Sequence, residues 1–208
     1  MHKILVFISF LLFSQFGASQ KLIEKTLLNP KTRYIQIDGS ECFQLVLNTH
    51  QSDLLKVEAS MEGQYAKDLV IKLEEDGKNI GISVDLLPGF KSPHIKFSVH
   101  KVISIVLHVT LPEHMTASVY GTHTNVTGEG TYKDLSITLS DGNCTLYDIS
   151  GKTSVKTQTG EIVVNKARGV VTTRSIYGKI KKGAIPSGDE TYSLQSVEGS
   201  IIVNVNNG

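Results

Sequence analysis

The sequence has no tryptophan and only two cysteines, Cys42 and Cys144. Two distant cysteines do not make the disulfide framework of a small secreted scaffold. In an oxidising compartment they can pair; otherwise they are two buried thiols. Helical periodicity is also missing, since no useful window carries apolar residues at a 3.6-residue repeat. Beyond the first twenty residues no apolar run approaches the roughly 20 residues that a membrane-spanning helix needs. Charge is balanced, with 21 Lys and Arg against 20 Asp and Glu, which removes any global argument for nucleic acid. A Gly-x-Ser-x-Gly elbow, a phosphate loop and a dinucleotide fingerprint are all lacking. Among the seven histidines, His94, His100, His108, His114 and His123 show no ligand spacing. Neither a metal nor another cofactor is therefore expected.

The N-terminus is informative. His2 and Lys3 precede an apolar run from Ile4 to Phe13, and Gly17-Ala18-Ser19 follows. That is the layout of a secretory signal peptide, with cleavage expected after Ser19. The junction has no cysteine to carry a lipid anchor. The chain is expected outside the cytoplasm, in the periplasm, on the cell surface or in the medium.

After the leader, apolar residues alternate with period two, as in strands. Arg33–Ile37, Cys42–Leu47, Leu54–Ala59, Leu69–Glu74 and Asn79–Asp85 have this pattern. Asp76-Gly77 between the last two is a hairpin signal. Ile95, Phe97 and Val99 alternate, as do the residues from Ile103 to Leu111, before Pro112 ends the run.

The second half repeats. Gly142, Gly160, Gly178 and Gly199 each open a similar short strand, at intervals of 18, 18 and 21 residues. Gly151 and Gly169 keep the interval of 18, and Gly121 is a candidate for a degenerate first coil. Stacking the repeats aligns like with like. Cys144, Ile162, Ile180 and Ile201 form one column; Leu146, Val164, Lys182 and Val203 form another; Ile137, Val155, Thr173 and Leu194 form a third. Apolar columns at fixed phase are what stacked coils need, because no coil buries its own face alone. Lys182 breaks its column and marks a bulge or a tapering coil. The glycines are expected at tight corners that favour φ > 0.

These repeats, with Asp148-Ile-Ser-Gly151 and Thr159-Gly-Glu-Ile162, resemble the bacterial putative-adhesin β-helix family, a domain of unknown function in cell-envelope proteins of the Bacteroidetes type. The resemblance is good over roughly residues 100–208. It implies a right-handed β-helix-like fold and an extracytoplasmic location, and it supplies no catalytic residues. The expected fold is therefore all-β. An N-terminal strand and hairpin region (20–112) packs on, or runs into, a right-handed parallel β-solenoid (113–208) with coils of about 18–21 residues.

One feature of composition suggests a partner. Residues 149–183 contain Lys152, Lys156, Lys166, Arg168, Arg174, Lys179, Lys181 and Lys182 against the single acid Glu161, a net charge of +7. Stacking in sequence order puts Lys156 and Arg174 in one outward column, one coil or about 4.8 Å apart. It also puts Glu161 between Asn143 and Lys179, as an exposed ion pair of little worth. Lys156, Arg174, Lys166, Arg168, Lys179 and Lys181 are the candidate site for a polyanion such as an acidic glycan; a solvated face is the competing reading. Asn125-Val-Thr127 and Asn143-Cys-Thr145 are sequons that the bacterial resemblance makes incidental.

The function expected is non-catalytic binding, adhesion or scaffolding, with an envelope glycan, another polyanion or a surface protein as partner. The alternative is a polysaccharide lyase or hydrolase, which needs convergent carboxylates on one sheet face. A flat ladder of basic and hydroxyl groups favours binding instead. Self-assembly through exposed coil ends is a third possibility.

Overall fold

The computed structural model describes residues 20–61, 68–87 and 104–205. The leader and the alternation at Ile95, Phe97 and Val99 lie outside these residues, as do His94 and His100. Among the described residues fifteen strands join in one sheet of mixed parallel and antiparallel pairs.

The first half supplies β1 (Gln20–Leu27), β2 (Tyr34–Asp38), β3 (Gln44–His50), β4 (Leu54–Met61), β5 (Leu69–Asp76), β6 (Asn79–Leu86) and β7 (Ile105–Pro112). Asp76 pairs with Asn79, and Gly77 between them has φ 62°, so the Asp-Gly signal made the expected hairpin. Strand β1 carries no strong alternation and was not legible in the sequence. The second half supplies β8 (Thr116–Gly121), the long strands β9 (Asn125–Leu139) and β10 (Cys144–Thr157), then β11 (Ile162–Asn165), β12 (Val170–Ser175), β13 (Ile180–Lys182), β14 (Thr191–Ser196) and β15 (Ile201–Val203).

Strands β9 and β10 are shared by two walls. Their first halves belong to a ladder running β1-β4-β7-β3-β9-β10-β11-β15-β13. Their second halves belong to a ladder running β5-β6-β2-β8-β9-β10-β14-β12. The change of wall falls at register shifts around Asp148 and Gly151. Gly130 and Gly151 have φ of 118° and 104° there, values that cost glycine little and other residues more.

Apolar columns run through both walls in register. Leu107, Leu45, Val126, Cys144, Ile162, Ile201 and Ile180 are neighbours in turn on wall one. Ile82, Ile37, Val119, Ile137, Val155, Leu194 and Thr173 are neighbours on wall two. Both walls contribute to one buried cluster, in which each fully buried aliphatic side chain stabilises by about 1.5–3 kcal/mol. Cys42 and Cys144 are buried free thiols, and burial pushes both pKa values up to about 12.

The columns are those expected, but their order is not. The rung β14–β15 lies between β10–β11 and β12–β13, although it comes last in the chain. Side-chain chemistry explains the exchange. The rung β14–β15 brings Tyr192, Leu194, Ile201 and Val203, all buried. The rung β12–β13 offers Val171, Thr173, Ile180 and Lys182 at the same positions. Stacking in sequence order would enclose Lys182 between Val164 and Val203, and an unpaired buried charge is expensive. At the edge Lys182 stays exposed, and its Nζ donates to the Val171 carbonyl at 3.0 Å. An inward charge on an edge strand also opposes pairing with another chain.

The glycine column has a different cause from the one expected. Gly142, Gly160, Gly178 and Gly199 do not have positive φ. Instead a Cβ on Gly160 would overlap the Gly142 carbonyl oxygen, one on Gly199 that of Gly160, and one on Gly178 that of Gly199. Close approach of stacked backbones requires glycine here. At Gly142 the preceding rung supplies Thr124 rather than Gly121.

Candidate functional site

The outward side chains of wall two make a flat polar face. One column runs Ser118, Ser136, Ser154, Ser193, Thr172. Ser118 is buried and accepts from the Tyr34 hydroxyl; Ser136, Ser154 and Ser193 are half-buried and Thr172 is exposed. The parallel column runs Tyr120, Thr138, Lys156, Gln195, Arg174, all exposed. Regular strand spacing places these groups about 4.8 Å apart along the stack.

Lys156 and Arg174 thus share a column, but Gln195 lies between them. The expected separation of one coil becomes two, about 9.6 Å. The change removes most of the expected repulsion between adjacent like charges. Similarly, Ser200 separates Glu161 from Lys179, so the expected ion pair is not made. Asn143 does neighbour Glu161: its Oδ1 accepts the Glu161 N–H at 2.9 Å, and Asn125 Oδ1 accepts the Asn143 N–H at 3.2 Å. Both sequon asparagines therefore serve the backbone of the next rung.

The six candidate cations divide into two groups. Lys156, Arg174, Lys179 and Lys181 make no ion pair among the described residues and are exposed. Lys166 and Arg168 sit elsewhere, beside the change of wall. Arg168 Nε donates to Glu190 Oε1 at 2.7 Å, Nη1 to Asp148 Oδ1 at 3.2 Å and Nη2 to Ser150 Oγ at 3.0 Å. Lys166 Nζ lies 3.5 Å from Asp148 Oδ2. Both Asp148 and Lys166 have positive φ, 45° and 56°, a strained conformation for residues other than glycine. The cluster borders a cavity of about 390 Å³ lined by Lys166, Arg168, Pro186 and Val205 among others. Arg168 ties the segment leading into β14 to the bend of β10, so its guanidinium is already used. It does not join the exposed cationic column.

Sequence reasoning did not find Gln195, Glu190 or the serine column. The 21-residue interval before Gly199 was the available signal for Gln195. It leaves a longer connector, residues 183–190, for the chain to return across one rung.

Histidine is dispersed. His123 Nδ1 lies 2.9 Å from Asp141 Oδ2 on the exposed surface, and His108 faces outward between Glu58 and Val46. No group of three or more potential metal ligands occurs among the described residues. No described helix is long and apolar enough to cross a membrane.

No protein-family model and no curated protein matches the chain. Solved structures do. The fold is similar to that of a putative cell adhesion protein from Clostridium sporogenes, with TM-score 0.62 and 14% identity over 89% of this chain and 99% of that one. Lower similarity extends to a putative adhesin from Bacteroides fragilis, with TM-score 0.38 and 10% identity over 90% and 98% of the two chains. A putative adhesin from Parabacteroides distasonis gives TM-score 0.36 and 10% identity over 89% and 98%. The chain has the all-β fold of a bacterial putative cell adhesion protein, the kind of protein that its repeats resemble.

Proposed function

We propose that this chain is a non-catalytic binding and adhesion protein of the extracytoplasmic space, and that the outer face of wall two takes a linear acidic glycan. The parallel part of the sheet is read as an irregular β-solenoid whose regular rungs set the spacing of the site. One observation carries the reading: Lys156, Gln195 and Arg174 run beside Ser154, Ser193 and Thr172 in matched register. A polymer lying along these three rungs would meet a cation, an amide and a cation in turn, with a hydroxyl at each rung. Hydroxyls and the Gln195 amide both donate and accept hydrogen bonds, which suits sugar hydroxyls. Lys156 and Arg174 supply the attraction for carboxylate or sulfate.

The enzyme alternative is weaker on geometry. Asp148 and Glu190 do converge, but the Arg168 guanidinium lies between them and is bonded to both. Glycoside hydrolysis needs substrate, not a fixed cation, between the two carboxyl groups.

The test is chromatography on an immobilised acidic polysaccharide. Retention is expected to fall steeply from low to high salt, and to be lost in Lys156→Glu/Arg174→Glu. Salt-independent retention, or full retention by the double variant, would overturn the reading.

A further inference from the structure

A second surface lies at the end of the stack, where β12 and β13 have no further neighbour among the described residues. Its exposed apolar residues are large: Ile176 is 56% exposed, Tyr177 78% and Ile180 44%. Ile176 and Tyr177 occupy the turn between the two strands. Lys179, just before β13, and Lys181, on it, are exposed and make no ion pair among the described residues. Glu198 lies on the turn of the preceding rung, where the Tyr177 N–H donates to the Val197 carbonyl at 2.8 Å.

We propose that this end docks on an anionic lipid surface. The inference goes beyond the glycan reading and stands on different residues, the turn and β13. Two properties select the occupant. The backbone edge is poorly suited to accept another strand, because Lys182 occupies an inward position and reaches across to Val171, a feature that opposes strand addition. Two copies of the same end would also set cations against cations. Side-chain contact remains open, and it is both cationic and apolar. At a bilayer surface the ammonium groups meet headgroup phosphates while aromatic and aliphatic tips enter the boundary with the acyl chains. Long lysine stems suit that arrangement, since they lie along apolar surface with the charge in water.

The absence of tryptophan makes the test direct, because Tyr177→Trp places a single indole at the proposed contact. Its emission is expected to shift to the blue with phosphatidylcholine vesicles containing phosphatidylglycerol, and not with phosphatidylcholine alone. Lys179→Glu/Lys181→Glu is expected to weaken vesicle binding more than tenfold, from roughly fivefold per cation lost. Ile176→Ser/Tyr177→Ser is expected to weaken it about tenfold while leaving retention on acidic polysaccharide unchanged. No blue shift with anionic vesicles, or vesicle binding indifferent to Ile176→Ser/Tyr177→Ser, overturns the proposal. A blue shift that grows with protein concentration without lipid also overturns it, and makes a second copy the occupant. Failure of the unaltered protein to be retained on acidic polysaccharide, with vesicle binding intact, sinks only the reading of wall two.

Discussion

Ile201 pairs with Ile162 on one side and with Ile180 on the other. The final strand therefore lies inside its sheet, and an earlier strand forms the edge. Ile201 is fully buried, whereas Ile180 is 44% exposed. The rung with the apolar side chains took the position with a neighbouring rung on each side.

This order sets unequal costs for two chemically identical substitutions. Ile201→Ala should destabilise by about 2–5 kcal/mol, as deletions from a packed interior do. Ile180→Ala should cost less than about 1 kcal/mol, because the site is already wet. Urea unfolding of the two variants checks this. Stacking in sequence order predicts comparable or reversed losses.

The glycine column offers a steric test. A methyl group at Gly160 has to displace the Gly142 backbone, whereas nothing lies within 4 Å of a Cβ at Gly183. Gly160→Ala should cost at least about 2 kcal/mol, and Gly183→Ala should be neutral within about 0.5 kcal/mol. Thermal or urea unfolding distinguishes them. A tolerant Gly160 would mean that the rungs are not closely stacked there.

Acid should loosen β1. Glu58 on β4 accepts ion-pair hydrogen bonds from Lys21 on β1 and from Lys56, both at 2.7 Å. Lys21 first and Lys56 second hold its pKa down, from the usual 4.5 to about 2. A carboxylate with a depressed folded-state pKa stabilises fully above its unfolded value. That stabilisation, about 1 kcal/mol for a partly solvated network, is lost as pH falls from about 4.5 through about 2. Unfolding of the protein and of Glu58→Gln should converge below that window and separate above it. Equal pH dependence across the whole range would remove Glu58 from the account.

The columns were legible because strands paired in parallel register set residues of one phase side by side, where a shared interior requires like side chains. Cys144, Ile162, Ile180 and Ile201 do share a column, as do Ile137, Val155, Thr173 and Leu194. Lys182 carried more information than its reading as a bulge or taper extracted, since a lysine in an apolar column belongs on an edge rung. The candidate cations were found by composition. Their grouping was not, because pairing with Asp148 and Glu190 depends on where the chain bends at Gly151 and how residues 183–190 return.

By itself, the sequence determined strands rather than helices, the phase of each buried column and the concentration of cations in residues 149–183. All three follow from periodicity and local composition, which neighbouring residues encode. Only the tertiary structure decided which repeat lies beside which, because every rung offers the same backbone edge to every other. The choice rests on burying Leu194, Ile201 and Val203 while leaving Lys182 in water. With it came the Gln195 spacer between Lys156 and Arg174, and the end of the stack that carries Tyr177.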